Sequence, residues 1–218
     1  MLNMIKVKTF VFNNLEENTY VLFTESKKCV IIDAGNHLKH EDEQIMSFID
    51  ENGLVPEMLL STHAHIDHVM GNASLSKRYN IPLAAYPVEK EYYDNVWRYA
   101  ENFGIRFTED MCIYPSIDLH DGEIIRIGDD TLKVLYTPGH AKGHVSFYDE
   151  KDGFVFTGDT LFRRSIGRTD FPGGSYEEIE NSLRNVLYQL PDDTMVFPGH
   201  GPQTRIGDEK RNNYYITL

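Results

Sequence analysis

The sequence predicts an α/β fold of two sheets packed face to face with helices outside, in a single domain spanning residues 1–218. Three observations lead there. Short apolar runs bounded by turn residues fill both halves of the chain and read as strands. Each half interleaves them with stretches of helical spacing, so the order of elements repeats although the residues do not. No linker or low-complexity stretch divides the halves, and 218 residues suffice for one large core.

Ile5–Phe12, Thr19–Thr24 and Lys28–Asp33 read as strands, joined at Asn13 and Asn14 and at Glu25 to Lys27. The third runs into Asp33, Ala34 and Gly35. Residues 41–53 place Ile45, Phe48 and Ile49 on one stripe and stop at Gly53, which predicts a helix. Met58–Thr62 reads as a buried strand, Asn72–Tyr79 as a short helix and Ile81–Tyr86 as a strand. Residues 88–103 read as a helix carrying Tyr92, Tyr93, Trp97, Tyr99 and Phe103, either as a packed aromatic face or as a wall over a substrate.

In the second half, Glu123–Ile127 and Thr131–Thr137 pair across Gly128, Asp129 and Asp130, and His144–Tyr148 pairs with Gly153–Thr157. A loop rich in Arg and Gly covers residues 163–174. The helix Tyr176–Gln189 sets Ile179, Leu183, Val186 and Leu187 on one face, and Met195–Phe197 is the last strand.

The 34 acidic against 21 basic residues give a net charge of −13. That excludes broad surfaces for nucleic acid or anionic membrane, which need basic patches, though not an anionic small substrate. The two cysteines, Cys29 and Cys112, lie far apart and form neither a disulfide framework nor a thiolate zinc motif. With no apolar leader and no run of about 18 apolar residues, the expected location is the cytoplasm.

The chemistry concentrates in His63, His65, Asp67 and His68, which follow the strand ending at Thr62. Four ligand-type side chains in six positions have no packing purpose and need a cation between them. Strand alternation and then a turn toward helix near Asp67 let them approach one point from two directions. Three later turns each deliver another ligand-type residue after a strand: His140, Asp159 and His200. Imidazole and carboxylate without thiolate suit Zn, Fe or Mn. Seven such residues are too many for one tetrahedral ion and suit two ions that share a carboxylate, which is hydrolytic equipment.

Four segments carry a resemblance: His63-Ala-His65-Ile-Asp67-His68, Thr137-Pro-Gly-His140, Phe156-Thr-Gly-Asp159-Thr-Leu-Phe162 and Pro198-Gly-His200-Gly-Pro202. Together they resemble the metallo-β-lactamase superfamily over nearly the whole chain. Ser165-Ile-Gly-Arg168 and Gly199 to Thr204 narrow the likeness to the glyoxalase II-like hydroxyacylglutathione hydrolases. The resemblance implies an αββα sandwich of two mixed sheets holding two divalent metals, zinc before iron or manganese. It implies one metal on His63, His65 and His140, a second on Asp67, His68 and His200, and Asp159 bridging. Asp33 would orient a ligand histidine from behind. The implied reaction is hydrolysis of the thioester S-D-lactoylglutathione, or a related acyl thioester, by a metal-bridging hydroxide that Asp67 helps to hold.

Arg168, with Arg163 and Arg164 nearby, is the candidate contact for an anionic thiol carrier. Only eighteen residues follow His200, so the likeness is to the short, single-domain bacterial type. Two rival readings remain open. Persulfide dioxygenases share a stretch like Gly167–Phe171 and would use one iron on His63, His140 and Asp159, although His144 sides with the glyoxalase II-like proteins. Another hydrolase of the superfamily, acting on a lactone or a β-lactam, is the third reading.

Overall fold

The computed structural model describes residues 5–218. Residues 1–4, on which the reading of a leaderless start partly rests, lie outside the described residues. Contacts group the chain into two compact units. One runs to Leu119 and takes in Arg126–Asp130; the other comprises His120–Ile125 and Thr131–Leu218.

The first unit contains β1 (Lys6–Phe12), β2 (Glu17–Phe23), β3 (Lys28–Ile32), α1 (Lys39–Glu51), β4 (Val55–Leu60), α2 (Asn72–Tyr79), β5 (Leu83–Ala85), α3 (Lys90–Tyr93), α4 (Val96–Ala100) and β6 (Ile117–Asp118). The six strands form one sheet in sequence order. Tight turns leave β1, β2 and β3 antiparallel, whereas helical crossovers make β3, β4, β5 and β6 parallel. Ile32 stands opposite Leu60, and Leu60 opposite Ala84. Asp33 and the histidine motif therefore leave neighbouring strands at the same edge, where parallel sheets present their chemistry. Below that edge Phe12, Val21, Ile31, Ile45, Ile49 and Leu59 form a core.

The continuous helix expected over residues 88–103 is broken into α3 and α4, with single 3-10 turns at Pro87–Glu89 and Glu101–Phe103. The break falls at Asp94 and Asn95. Asn95 leaves helical geometry at φ −122° while its side-chain amide donates to the Glu91 carbonyl at 3.1 Å. Asx side chains compete with the helix ladder in this way. Tyr93 is buried and Tyr92 and Trp97 pack on the core, so packing accounts for those three. Tyr99 and Phe103 stay exposed.

Both thiols are protonated at neutral pH. Burial pushes Cys29 up to about 12 and Cys112 up to about 11, with a nearby carboxylate adding to each. An aromatic disulfide reagent at pH 8 is expected to label Cys29 only after unfolding. Cys112 should react about a hundredfold more slowly than a free thiol, because the thiolate is the nucleophile. Absorbance of the released thiolate, with and without denaturant, checks both rates.

The second unit contains the first two residues of β7 (Ile124–Ile127), all but Asp130 of β8 (Asp130–Tyr136), and β9 (Val145–Asp149), β10 (Phe154–Gly158), β11 (Leu161–Phe162), β12 (Ser165–Ile166), α5 (Tyr176–Asn185), β13 (Met195–Pro198), β14 (Thr204–Arg205) and α6 (Ile206–Asn212). Its main sheet runs β14-β13-β10-β9-β8-β7 and is also mixed. The stretch expected to be plain loop after Asp159 instead carries the β11–β12 hairpin. α5 opens on Ser175, whose hydroxyl accepts from the Glu178 amide, and buries Ile179 and Leu183. Leu183 joins Val155, Leu161, Leu187 and Val196 in a second core. β10 and β13 are parallel, with Gly158 opposite Pro198, so Asp159 and His200 emerge side by side. Among the described residues no helix is long and apolar enough to cross a membrane.

Candidate metal centre

In the first unit everything turns on Asp33. β3 ends at Ile32, and Asp33 takes a left-handed backbone conformation, φ 51°, that aspartate tolerates better than most residues. Its amide donates to the Leu60 carbonyl at 3.0 Å, and its buried carboxylate then faces the end of β4. Oδ1 accepts from the Thr62 amide at 2.7 Å and Oδ2 from the Thr62 hydroxyl at 2.7 Å. The same Oδ2 lies 3.1 Å from His68 Nδ1.

These contacts settle where the ring hydrogens sit. A carboxylate only accepts, so His68 carries its hydrogen on Nδ1. Thr62 has given its hydroxyl hydrogen to Asp33, so the 3.0 Å contact from His63 Nδ1 to Thr62 Oγ1 puts the His63 hydrogen on Nδ1 as well. Both rings thus turn an Nε2 lone pair away from the supporting residues. His63 Nε2 and His65 Nδ1 stand 3.0 Å apart. Two nitrogens held at about 2.0–2.1 Å on one tetrahedral ion stand roughly 3.3 Å apart, so the spacing fits a shared cation. Asp67 and His68 lie on a single 3-10 turn, with Asp67 Oδ2 3.6 Å from His68 Nε2. Asp33, His63 and His68 each bring one ligand-type atom within 4.8 Å of the others'.

Several supports in this unit were not singled out as such from the sequence. Thr62 is the relay just described. Asn13 donates its side-chain amide to the carbonyls of Gly35 and Asp67, fixing the turn that carries Asp67. Glu89 accepts from the Ala64 amide at 2.8 Å, and Tyr93 donates to Ser61, whose hydroxyl donates to the His63 carbonyl. Glu17, wholly buried, accepts from the Thr19 hydroxyl on Oε2, while its Oε1 lies 3.9 Å from His68 Nδ1. Burial pushes the Glu17 carboxyl well above the usual carboxylate range, His68 pulls it down, and Asp33 pushes it further up. The signal for Glu17 was a single charged residue at the head of an otherwise uncharged stretch, which the structure makes the first residue of β2.

The second unit brings together its own three predicted residues. His140 Nδ1 donates to the Arg168 carbonyl at 2.7 Å, which again leaves Nε2 with its lone pair. That Nε2 lies 3.4 Å from Asp159 Oδ2, and His200 Nε2 lies 3.6 Å from the same oxygen. Asp159 is held by its backbone: its amide donates to His144 Nε2 at 3.0 Å. His144, fully buried, therefore carries its hydrogen on Nδ1, within 3.1 Å of the hydroxyls of Thr137 and Thr160. His144 is thus a support for Asp159. Gly167 has to be glycine, because a Cβ there would lie 1.7 Å from the Asp159 carbonyl and 3.0 Å from His140 Nδ1.

Arg168 enters the site through its main chain. Its side chain forks onto Asp170 at 2.9 and 2.8 Å and lies over the Phe171 ring, 4.2 Å from the centroid. The hydrogen bonds from Arg168 hold the Asp170 carboxyl below its ordinary value. An incoming anion would have to compete with Asp170 for that guanidinium.

Two mixed sheets, each ending in imidazoles of fixed tautomer beside carboxylates, define an α/β metal-binding protein. Residues 13–200 match the family described as the metallo-beta-lactamase superfamily, and the chain belongs to it. The chain is 33% identical over 210 residues to hydroxyacylglutathione hydrolase GloC of Haemophilus influenzae, covering 92% of this chain and 93% of that protein. Among solved structures it is similar to the BLEG-1 B3 metallo-beta-lactamase, with TM-score 0.89 and 32% identity over 98% of this chain and 100% of that one. It is also similar to TTHA1623 in a di-iron-bound form, with TM-score 0.86 and 35% identity over 96% and 100% of the two chains. The chain has the metallo-β-lactamase fold, as the sequence led us to expect.

Proposed function

We propose that residues 1–218 act as one cytoplasmic binuclear metallohydrolase that cleaves an acyl thioester, S-D-lactoylglutathione or a relative of it. The observation that carries this reading is the fixed tautomer of His63, His68 and His140. Each has its Nδ1 hydrogen given to a built-in acceptor, which raises the ring's basicity and aims Nε2 as a ligand. In this reading His63, His65 and His140 hold one divalent ion, Asp67, His68 and His200 hold the other, and Asp159 serves both. Zinc is the first expectation; the di-iron form of TTHA1623 makes iron the second.

The ions supply Lewis acidity and a nucleophilic hydroxide at neutral pH. The protein's own part is positional. Asp67 keeps the attacking oxygen oriented, and Asp33, through Thr62 and His68, keeps the ring nitrogens from turning. Attack at the acyl carbon breaks the carbon–sulfur bond and the sulfur departs as thiolate, so no strong general acid is required. In this reading Arg168 stays the candidate contact for the thiol half, which would have to draw its guanidinium from Asp170. The GloC name supports glutathione as that thiol.

Initial rates on S-D-lactoylglutathione and on simple acyl thioesters, with metal content determined on the same protein, test the proposal. Metal-dependent thioester cleavage with about two ions per chain is the expected result. One iron per chain, with oxygen consumed on glutathione persulfide and no thioester cleavage, would overturn it.

A further inference from the structure

Glu89 and Tyr93 reach the ligand segment at a single peptide bond, and between them they hold both of its polar ends. The Ala64 amide donates to Glu89 Oε2 at 2.8 Å. The His63 carbonyl, at the other end of the same peptide, accepts from the Ser61 hydroxyl at 2.7 Å, and that hydroxyl accepts from the Tyr93 phenol at 2.8 Å. Ser61, His63, Ala64, Glu89 and Tyr93 are all buried. The peptide lies past the end of β4 and before the turn at Ile66–His68, so its buried polar groups look to side chains for partners.

Strand register brings the two segments together. Leu60, the last residue of β4, stands opposite Ala84, and the Ser61 amide donates to the Ala84 carbonyl at 3.0 Å. β5 ends at Ala85, and Pro87, whose fixed φ suits the first position of a helical turn, begins the next element. Helical backbone then runs from Pro87 to Tyr93, which sets Glu89 and Tyr93 four residues apart on one face. Burial pushes the Tyr93 phenol well above its ordinary value, so at neutral pH it remains a donor.

A peptide unit is rigid and planar. Holding its oxygen and its hydrogen fixes ψ of His63 and φ of Ala64 together, and with them the path from one imidazole to the next. His63 Nε2 and His65 Nδ1 stand 3.0 Å apart on either side of this peptide. We propose that Glu89 and Tyr93, the latter through Ser61, are positioning residues that clamp the His63–Ala64 peptide and so set how tightly His63 and His65 hold an ion together. The proposal rests on the reading above in which these two histidines share a metal. Glu89 serves in it as an acceptor: the Ala64 amide requires an oxygen there, not a charge.

Zinc titration of the metal-free, full-length chain tests this without turnover. Competition with a chromophoric chelator gives the affinity, and nitrogen-15 shifts of the His63 and His65 rings show which ligands take up the ion. Glu89→Ala and Ser61→Ala should each weaken zinc binding at those rings roughly 10- to 100-fold, the usual cost of losing a group that supports a ligand histidine. Glu89→Gln, which still offers an oxygen to the Ala64 amide, should recover most of the loss. Glu91→Ala, exposed on the same helix, should bind like the parent. The double variant of Ser61 and Glu89 should lie near the weaker single variant and not at the product of the two losses, because both groups grip one plane.

Should Glu89→Ala fail to fold, Ser61→Ala and Glu89→Gln carry the test, the first weakening zinc and the second sparing it. Parent-level binding by the alanine variants, losses that multiply in the double variant, or a Glu89→Gln loss as large as that of Glu89→Ala would each overturn the clamp. A parent whose His63 and His65 rings do not shift with zinc overturns the shared ion itself, whereas a parent that binds and variants that bind alike remove the clamp alone.

Discussion

Asp159→Ala is expected to lower thioester hydrolysis by on the order of a thousandfold, about 4 kcal/mol of barrier, while the fold survives. Asp159 Oδ2 faces the Nε2 atoms of His140 and His200 at 3.4 and 3.6 Å. The His140 Nε2 carries a lone pair, because its hydrogen lies on Nδ1 toward the Arg168 carbonyl. A lone pair and a carboxylate oxygen held that close are matched only by a cation or a proton between them. Alanine removes the carboxylate, whereas the backbone anchor through His144 Nε2 remains.

The metal-free variant should therefore melt no lower than the metal-free parent. The stabilisation added by metal should shrink instead: a hundredfold loss of affinity at saturating metal removes about 2.7 kcal/mol. Elemental analysis, thermal melts with and without added zinc, and kcat/KM together check the point. A variant with the parent's metal content and turnover would remove Asp159 from the centre.

How far the sequence shows this molecule differs between backbone and site. The strands of both units were legible because each is a short apolar run closed by a turn, as at Lys28–Ile32 and Phe154–Gly158. β6, β14 and the β11–β12 hairpin were not, since two-residue strands carry no periodicity. The broken helix at Asp94 and Asn95 misled because aromatic spacing outweighed two residues that compete with the ladder.

At the site, side chains with ligand chemistry announced themselves by type and crowding. Their supports did not. Nothing in the spacing of Asn13 or Glu17 says that they meet Asp67 and His68, or that Thr62, beside His63, meets Asp33, because those meetings are made by the fold across tens of residues. His144 looked like a family marker, yet the contact it makes is to a backbone amide fifteen residues on. Arg168 was singled out for its guanidinium, and the structure uses its carbonyl, which every residue type possesses.

The two substitutions of Asp33 are expected to part company, and that separation tests whether the support network sets ligand chemistry or only shape. Asp33→Ala strands the Thr62 amide and the His68 Nδ1 hydrogen in a buried place and puts alanine at φ 51°. Breaking such a buried charged network costs about 3–5 kcal/mol, and the left-handed backbone adds roughly 1–2 kcal/mol. A lower melting temperature and loss of metal should come together.

Asp33→Asn keeps the shape and tolerates the backbone. Its carbonyl oxygen can still accept from the Thr62 amide, but an amide NH₂ now stands where Oδ2 accepted from the Thr62 hydroxyl and faced His68 Nδ1. His68 must then accept at Nδ1 and move its hydrogen to Nε2, the atom proposed to face the metal. Metal affinity should fall 10- to 100-fold, the usual cost of losing the group that orients a ligand histidine, with a melt of the metal-free protein near the parent's. Nitrogen-15 chemical shifts of the His68 ring would report the exchanged hydrogen directly. If Asp33→Asn holds metal as tightly as the parent, Asp33 is a structural turn residue, and the fixed tautomer of His68 has no part in binding.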